Sequence, residues 1–158
     1  MADISEKFFI FTFRDYLKSE DLKKTLENLV KKSNVFLKTK VFIFHSHVDE
    51  SSMDVLANSP FFQGIIDLNL ESYCQLDSIT NLINSKNFSH LRRLSFRSCQ
   101  TLNIQEIKDL ILSPVLSTLN DLNLSNTLIN DEVLKSIGDS QYLRNLTKLD
   151  LGNCFKLS

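Results

Sequence analysis

The sequence predicts an α/β fold, a curved solenoid with parallel β-strands on its concave face and helices on its convex face. Three observations predict it. An apolar pattern with spacings of 3, 3 and 2 recurs at nearly constant intervals along the 158 residues. Each of the first five copies is followed by a second apolar stripe at 0, 3 and 4, the spacing that places side chains on one face of a helix. Between pattern and stripe stand Ser, Asp and Asn, residues that start helices.

The first strand is read at Phe8, Phe11 and Phe13, with Ser5 in the leading apolar position, and Ser19 opens a helix through Leu26, Leu29 and Val30. Phe36, Thr39, Phe42 and Phe44 give the second strand with one weak position, backed by Met53, Leu56 and Ala57. The third copy, Phe62, Ile65, Leu68 and Leu70, precedes Asp77 and the stripe Ile79, Leu82 and Ile83. Phe88, Leu91, Leu94 and Phe96 form the fourth, and Asn103 with Glu106 resembles a capping box ahead of Ile107, Leu110 and Ile111. The fifth, Leu116, Leu119, Leu122 and Leu124, leads through Asn130 to Val133, Ser136 and Ile137. Leu143, Leu146, Leu149 and Leu151 are the sixth strand.

The third apolar residues, from Phe11 through Phe42, Leu68, Leu94 and Leu122 to Leu149, are 31, 26, 26, 28 and 27 residues apart. A unit this small cannot bury its apolar face alone, whereas stacked units share a core. Strands that begin the same way one unit later must run parallel. Residues 1–158 therefore read as a single domain of about five and a half repeats of 26–31 residues.

The recurring Leu-x-x-Leu-x-Leu spacing resembles that of leucine-rich repeats. Two copies add a cysteine at a fixed offset, in Leu91-x-x-Leu94-x-Phe96-x-x-Cys99-x-x-Leu102 and Leu146-x-x-Leu149-x-Leu151-x-x-Cys154-x-x-Leu157. These are similar to the cysteine-containing repeats of F-box proteins, and the period and helix length also resemble the ribonuclease-inhibitor subclass. The resemblance covers roughly residues 8–157. It implies a non-enzymatic scaffold that binds another protein. The F-box likeness adds an alternative: the substrate-recognition part of a ubiquitin-ligase adaptor, or a microbial effector, whose other domain lies outside this chain.

Composition narrows the partner class. Apolar content of 42% and charged content of 23% are globular values, so disorder is not expected. A net charge of −1 gives no electrostatic footprint for a phosphate backbone, so nucleic acid is not an expected ligand. Three scattered cysteines do not read as a disulfide framework. The opening residues lack a leader's basic start and cleavage site, and no apolar run approaches the ~20 residues that span a bilayer. A cytoplasmic protein without membrane contact is the expectation.

One stretch suggests chemistry. His45-Ser46-His47-Val48-Asp49-Glu50 ends the apolar run Val41–Phe44, and H-x-H-x-D resembles the metal-binding turn of metallo-β-lactamase-type hydrolases. In the repeat register, however, His47 falls where Cys99 and Cys154 stand in their copies and Tyr73 and Thr127 in two others. Asp49 and Glu50 then open the second helix, where acidic side chains suit the positive end of the dipole. A binuclear hydrolase needs a His after that Asp, where Glu50 stands, and His90 is the one other histidine. Cys74 and His90 could be imagined as nucleophile and base, but they belong to different repeats and have no orienting partner. No enzyme, cofactor or metal is expected.

Alternation along each strand sends the residues between the leucines to the concave surface. There Arg93 and Arg97 lie between Asp67, Asn69 and Glu71 on one side and Asp121 and Asn123 on the other. Two readings stay open: a self-neutralising surface ladder, or a recognition strip in which Arg engages carboxylates of a partner. Ile10, Val41 and Ile43 make the first rows apolar, with His45 beside them. They are either an interface or solvent-tolerated β-branched strand residues. The expected partner is a protein on this concave face. The chain starts near a strand and stops where another helix is due, so part of a longer solenoid, or self-association through uncapped ends, is also expected.

Overall fold

The computed structural model describes the backbone of residues 9–13, 19–32, 39–44, 48–71 and 79–158, and the side chains of 21–31, 48–71 and 79–158. Phe8, Phe36, Tyr73, Cys74, Asp77 and the His45–His47 turn lie outside the described residues. Strands and helices alternate: β1 (Phe9–Phe13), α1 (Ser19–Lys32), β2 (Thr39–Phe44), α2 (Glu50–Asn58), β3 (Asp67–Asn69), α3 (Thr80–Asn84), β4 (Arg93–Ser95), α4 (Ile104–Ile111), β5 (Asp121–Asn123), α5 (Asp131–Asp139) and β6 (Lys148–Asp150). The six strands form one sheet in sequence order, every neighbouring pair parallel. Each helix packs on the next, from α1 to α5. The fold is α/β.

The register follows the apolar pattern. Phe11 pairs with Phe42, Phe42 with Leu68, Leu68 with Leu94, Leu94 with Leu122, and Leu122 with Leu149. Because strand side chains alternate faces, this alignment stacks the leucines on one side of the sheet. Leu68, Leu94 and Leu122 are buried there with Ile65, Leu91 and Leu119, in one core that also takes Leu56, Leu82, Ile107 and Val133 from the helices. Burying one such side chain stabilises by roughly 1.5–3 kcal/mol, so the stacked column dominates the favourable side of folding. Among the described strand pairs the register shifts between Phe9 and Ile10, in the pair with the longest interval.

The leading apolar residues Phe62, Phe88 and Leu116 are not in the strands. Each ends a single 3-10 turn, Pro60–Phe62, Lys86–Phe88 and Pro114–Leu116, that drops an apolar side chain under the sheet. Each turn is opened by a serine whose hydroxyl accepts the N–H two residues on: Ser59 from Phe61, Ser85 from Asn87, Ser113 from Val115. Ser140 does the same for Tyr142. Three of these hydroxyls also donate to the end of the helix one unit earlier, Ser85 to Ala57 O in α2, Ser113 to Ile83 O in α3 and Ser140 to Ile111 O in α4. The column satisfies helix C-terminal carbonyls that lack intrahelical partners and ties each unit to the one before.

At the other end of the helices, Asn103 accepts from Gln105 N–H, Asn130 from Val133 N–H and Asp49 from Ser52 N–H. Helix α3 departs from this: it begins after Ile79, whose side chain makes no capping bond. Just past β4, β5 and β6, Ser98, Asn126 and Asn153 share a left-handed backbone with φ of 63°, 56° and 58°. That reversal lowers Cys99 and Cys154 into the core, where each thiol donates to a carbonyl one unit back, Leu70 O and Leu124 O, at 3.1 Å.

Candidate functional site

The residues between the leucines come together as rows across the sheet. Strand pairing sets Asp67 beside Arg93, Arg93 beside Asp121, and Asp121 beside Lys148. Charge thus alternates along one row of four strands, at the ~4.8 Å spacing of a β-ladder. Arg93 Nε lies 2.8 Å from Asp67 Oδ2, and Lys148 Nζ lies 3.1 Å from Asp121 Oδ2. Arg93 therefore turns to one acidic neighbour only, because Lys148 takes the other.

These pairs join a half-covered acid to an exposed base: Asp67 is 17% exposed against 58% for Arg93. Burial pushes the Asp67 carboxyl above its ordinary pKa. The charge and hydrogen bond of Arg93 oppose the rise without cancelling it, and the charge of Asp121 adds to it. An ion pair this open contributes on the order of 0.2–1 kcal/mol at best.

The second row has a local task. Asn69 Oδ1 accepts from Glu71 N–H, Asn123 Oδ1 from Ser125 N–H and Asp150 Oδ1 from Gly152 N–H, at 2.9–3.0 Å. These side chains close the turn that ends each strand, as Asn and Asp do where they mimic a backbone turn. In the third row Glu71 Oε1 accepts from Ser95 Oγ of the second row at 3.4 Å, whereas the exposed guanidinium of Arg97 has no ion pair among the described residues.

Together they line an open groove of about 410 Å³, formed by Asp67, Asn69, Glu71, Arg93, Leu94, Ser95, Asp121, Asn123 and Lys148. Six of the sequence-predicted site residues are in that lining. Arg97 stands just past β4, outside it. Val41 and Ile43 extend the rows in β2, paired with Asp67 and Asn69. His45 lies outside the described residues. Of the lining, Leu94, Ser95 and Lys148 were left out of the predicted site, Lys148 being the charged one. Its signal was its place between Leu146 and Leu149, in register with Asp121.

A second open hollow, about 550 Å³, runs along the strand-entry edge between Gly64, Ile66, His90, Arg92, Thr118, Asn120 and Asn145. Much of its polar lining bonds its own loops: Thr118 donates to Leu91 O, Asn120 to Asn145 O and Asn145 to Ser117 O. Asp49, of the H-x-H-x-D stretch, accepts from Ser51 Oγ and Ser52 N–H as a helix cap. Among the described residues no group of three His, Cys, Asp or Glu is placed to hold a metal, and no helix is long and apolar enough to cross a membrane. No protein-family model matches the chain, and no curated protein matches it.

Proposed function

We propose that the chain is a leucine-rich-repeat solenoid acting as a non-enzymatic protein-binding module, with its partner seated across the strand face of β2 to β5. The observation that carries this reading is the groove of alternating Asp67, Arg93, Asp121 and Lys148, beside which the exposed Arg97 makes no ion pair among the described residues. Arg97 is a bidentate donor suited to a carboxylate of the partner. Burial holds the Asp67 pKa up despite Arg93, so the Asp67–Arg93 pair adds little to stability. Val41 and Ile43 supply the apolar side of the footprint.

The test is affinity capture from cell lysate with wild type, the double reversal Arg93→Glu/Arg97→Glu, and Lys135→Glu on exposed α5 as a control. The partner is expected with wild type and the control and lost with the double reversal, whose far-UV circular dichroism stays unchanged. Equal capture by all three baits would remove the strand face as the site.

The matched burial of Cys99 and Cys154, each donating one unit back, favours the cysteine-containing repeat subclass. A role as the substrate-recognition part of an F-box-type ubiquitin-ligase adaptor is the second reading. Ubiquitin-ligase subunits in the captured material would support it. A cytoplasmic location goes with both.

A further inference from the structure

We propose that the hollow at the strand-entry edge binds a phosphate group, free or as a monoester, between Arg92 and His90. This edge is apart from the strand-face groove, and neither reading rests on the other. The hollow of about 550 Å³ takes Arg92 and His90 into a lining whose other members are uncharged. The whole chain carries a net charge of −1, so an arginine-bearing lining without an acid is a local feature.

Arg92 is anchored through its backbone on both sides. Its N–H donates to Ile66 O at 2.7 Å, and its carbonyl accepts from the N–H groups of Asn120 and Asp121 at 2.9 and 3.0 Å. Asn120 O accepts in turn from Thr147 N–H at 2.8 Å and Lys148 N–H at 3.0 Å. The root of the Arg92 side chain is thus fixed between neighbouring strands, while its guanidinium is exposed and makes no ion pair among the described residues. The acid of the adjoining hollow, Asp121, is held by Lys148 at 3.1 Å. Arg92 therefore presents a fork of N–H donors that no carboxylate of its surroundings takes up.

His90 supplies the complement. Ser89 Oγ donates its one hydrogen to Lys86 O at 2.8 Å, so in its 3.2 Å contact with His90 Nδ1 the ring nitrogen is the donor. A neutral ring then carries its hydrogen on Nδ1, and Nε2 is a bare acceptor with no partner among the described residues. Near neutral pH a carboxylate or a sulfate has only acceptors to offer that nitrogen. A phosphate monoester, with a second pKa of about 6, has an O–H to donate to it and two further oxygens for Arg92. When the ester is the dianion, the same proton bridges from Nε2. Asn120 and Asn145 donate to Asn145 O and Ser117 O, and each amide keeps a second hydrogen for the anion. Three successive strand entries thus direct donors to one tetrahedral group.

The test is calorimetric titration at about pH 6, where a phosphate ester holds its proton half the time, with phenyl phosphate, inorganic phosphate and phenyl sulfate. The proteins are wild type, Arg92→Ala, His90→Ala and, as a control on α5, Lys135→Ala. One saturable phenyl phosphate site is expected in wild type and the control. Arg92→Ala is expected to weaken it roughly tenfold or more, and His90→Ala to remove the preference for phosphate over sulfate. Phenyl phosphate bound more tightly than inorganic phosphate assigns the site to an ester; equal or weaker binding assigns it to the free ion. No saturable phosphate binding by wild type, sulfate bound as tightly as phosphate, or an Arg92→Ala variant that binds like wild type would each overturn the proposal. Amide NMR of wild type alone keeps the test independent of how the variants fold. Phenyl phosphate is expected to shift the side-chain amides of Asn120 and Asn145 and to leave that of Asn123, on the strand face, in place; the reverse pattern would overturn the site.

Discussion

Leu122 and Leu149 occupy the same place in adjacent strands and pair in register, yet one is 1% exposed and the other 37%. Truncating each to Ala measures what the last unit of the stack lacks. Leu122→Ala removes buried methyl groups and leaves a cavity walled on both sides by neighbouring units, a change that costs about 3 kcal/mol. Leu149→Ala loses only the partial transfer of the same atoms, because its open side closes no cavity, and costs about 1 kcal/mol. Urea unfolding of the two variants beside wild type makes the comparison. With a slope of about 1–3 kcal/mol per molar for a domain of this size, the two midpoints separate by roughly 1 M. Equal losses at the two positions would refute the reasoning, since β6 would then be as well covered as β5.

Ser140→Ala is expected to destabilise by about 1–3 kcal/mol, because the hydroxyl both donates to Ile111 O and accepts from Tyr142 N–H in a buried site. Ser52→Ala removes a buried hydroxyl that has no partner among the described residues and is expected to leave the urea midpoint unchanged or raise it. Asp67→Asn is expected to be neutral or stabilising at neutral pH. A carboxyl whose folded-state pKa lies above its unfolded value withdraws stability as pH rises through that interval. The advantage of the Asn variant should therefore vanish as pH falls below about the ordinary 3.8, where both chains are uncharged at this site. Thermal melts across pH check it, and an Asn variant that is less stable at neutral pH would sink the assignment.

The strands and the stacked leucines were legible in the sequence because register in a parallel sheet is set by the apolar pattern, and that pattern repeats. The caps Asn103 and Asn130 were legible for a similar reason: one side chain and one local N–H suffice. The serine column was not. Ser59, Ser85, Ser113 and Ser140 read singly as turn residues, and the second bond of the last three reaches a carbonyl about a full unit away. Asn87 is hidden in the same way, buried while its amide donates to Leu56 O and Ser59 O. Within the site, the row positions of Asp67, Arg93 and Asp121 were readable, but not which acid Arg93 would choose. That depends on Lys148 competing for Asp121. The tasks of Asn69 and Asn123 in strand-end turns were also missed, since an exposed Asn between apolar residues looks equally suited to a ligand or to its own backbone.

Carboxyl labelling with a carbodiimide, read residue by residue with and without a captured partner, tests the central claim most directly because it samples both faces of one molecule. Binding on the strand face predicts that Glu71 and Asp121 lose reactivity while Asp109 and Asp139, exposed on α4 and α5, keep theirs. Protection of the helix acids with Glu71 and Asp121 unchanged would contradict it.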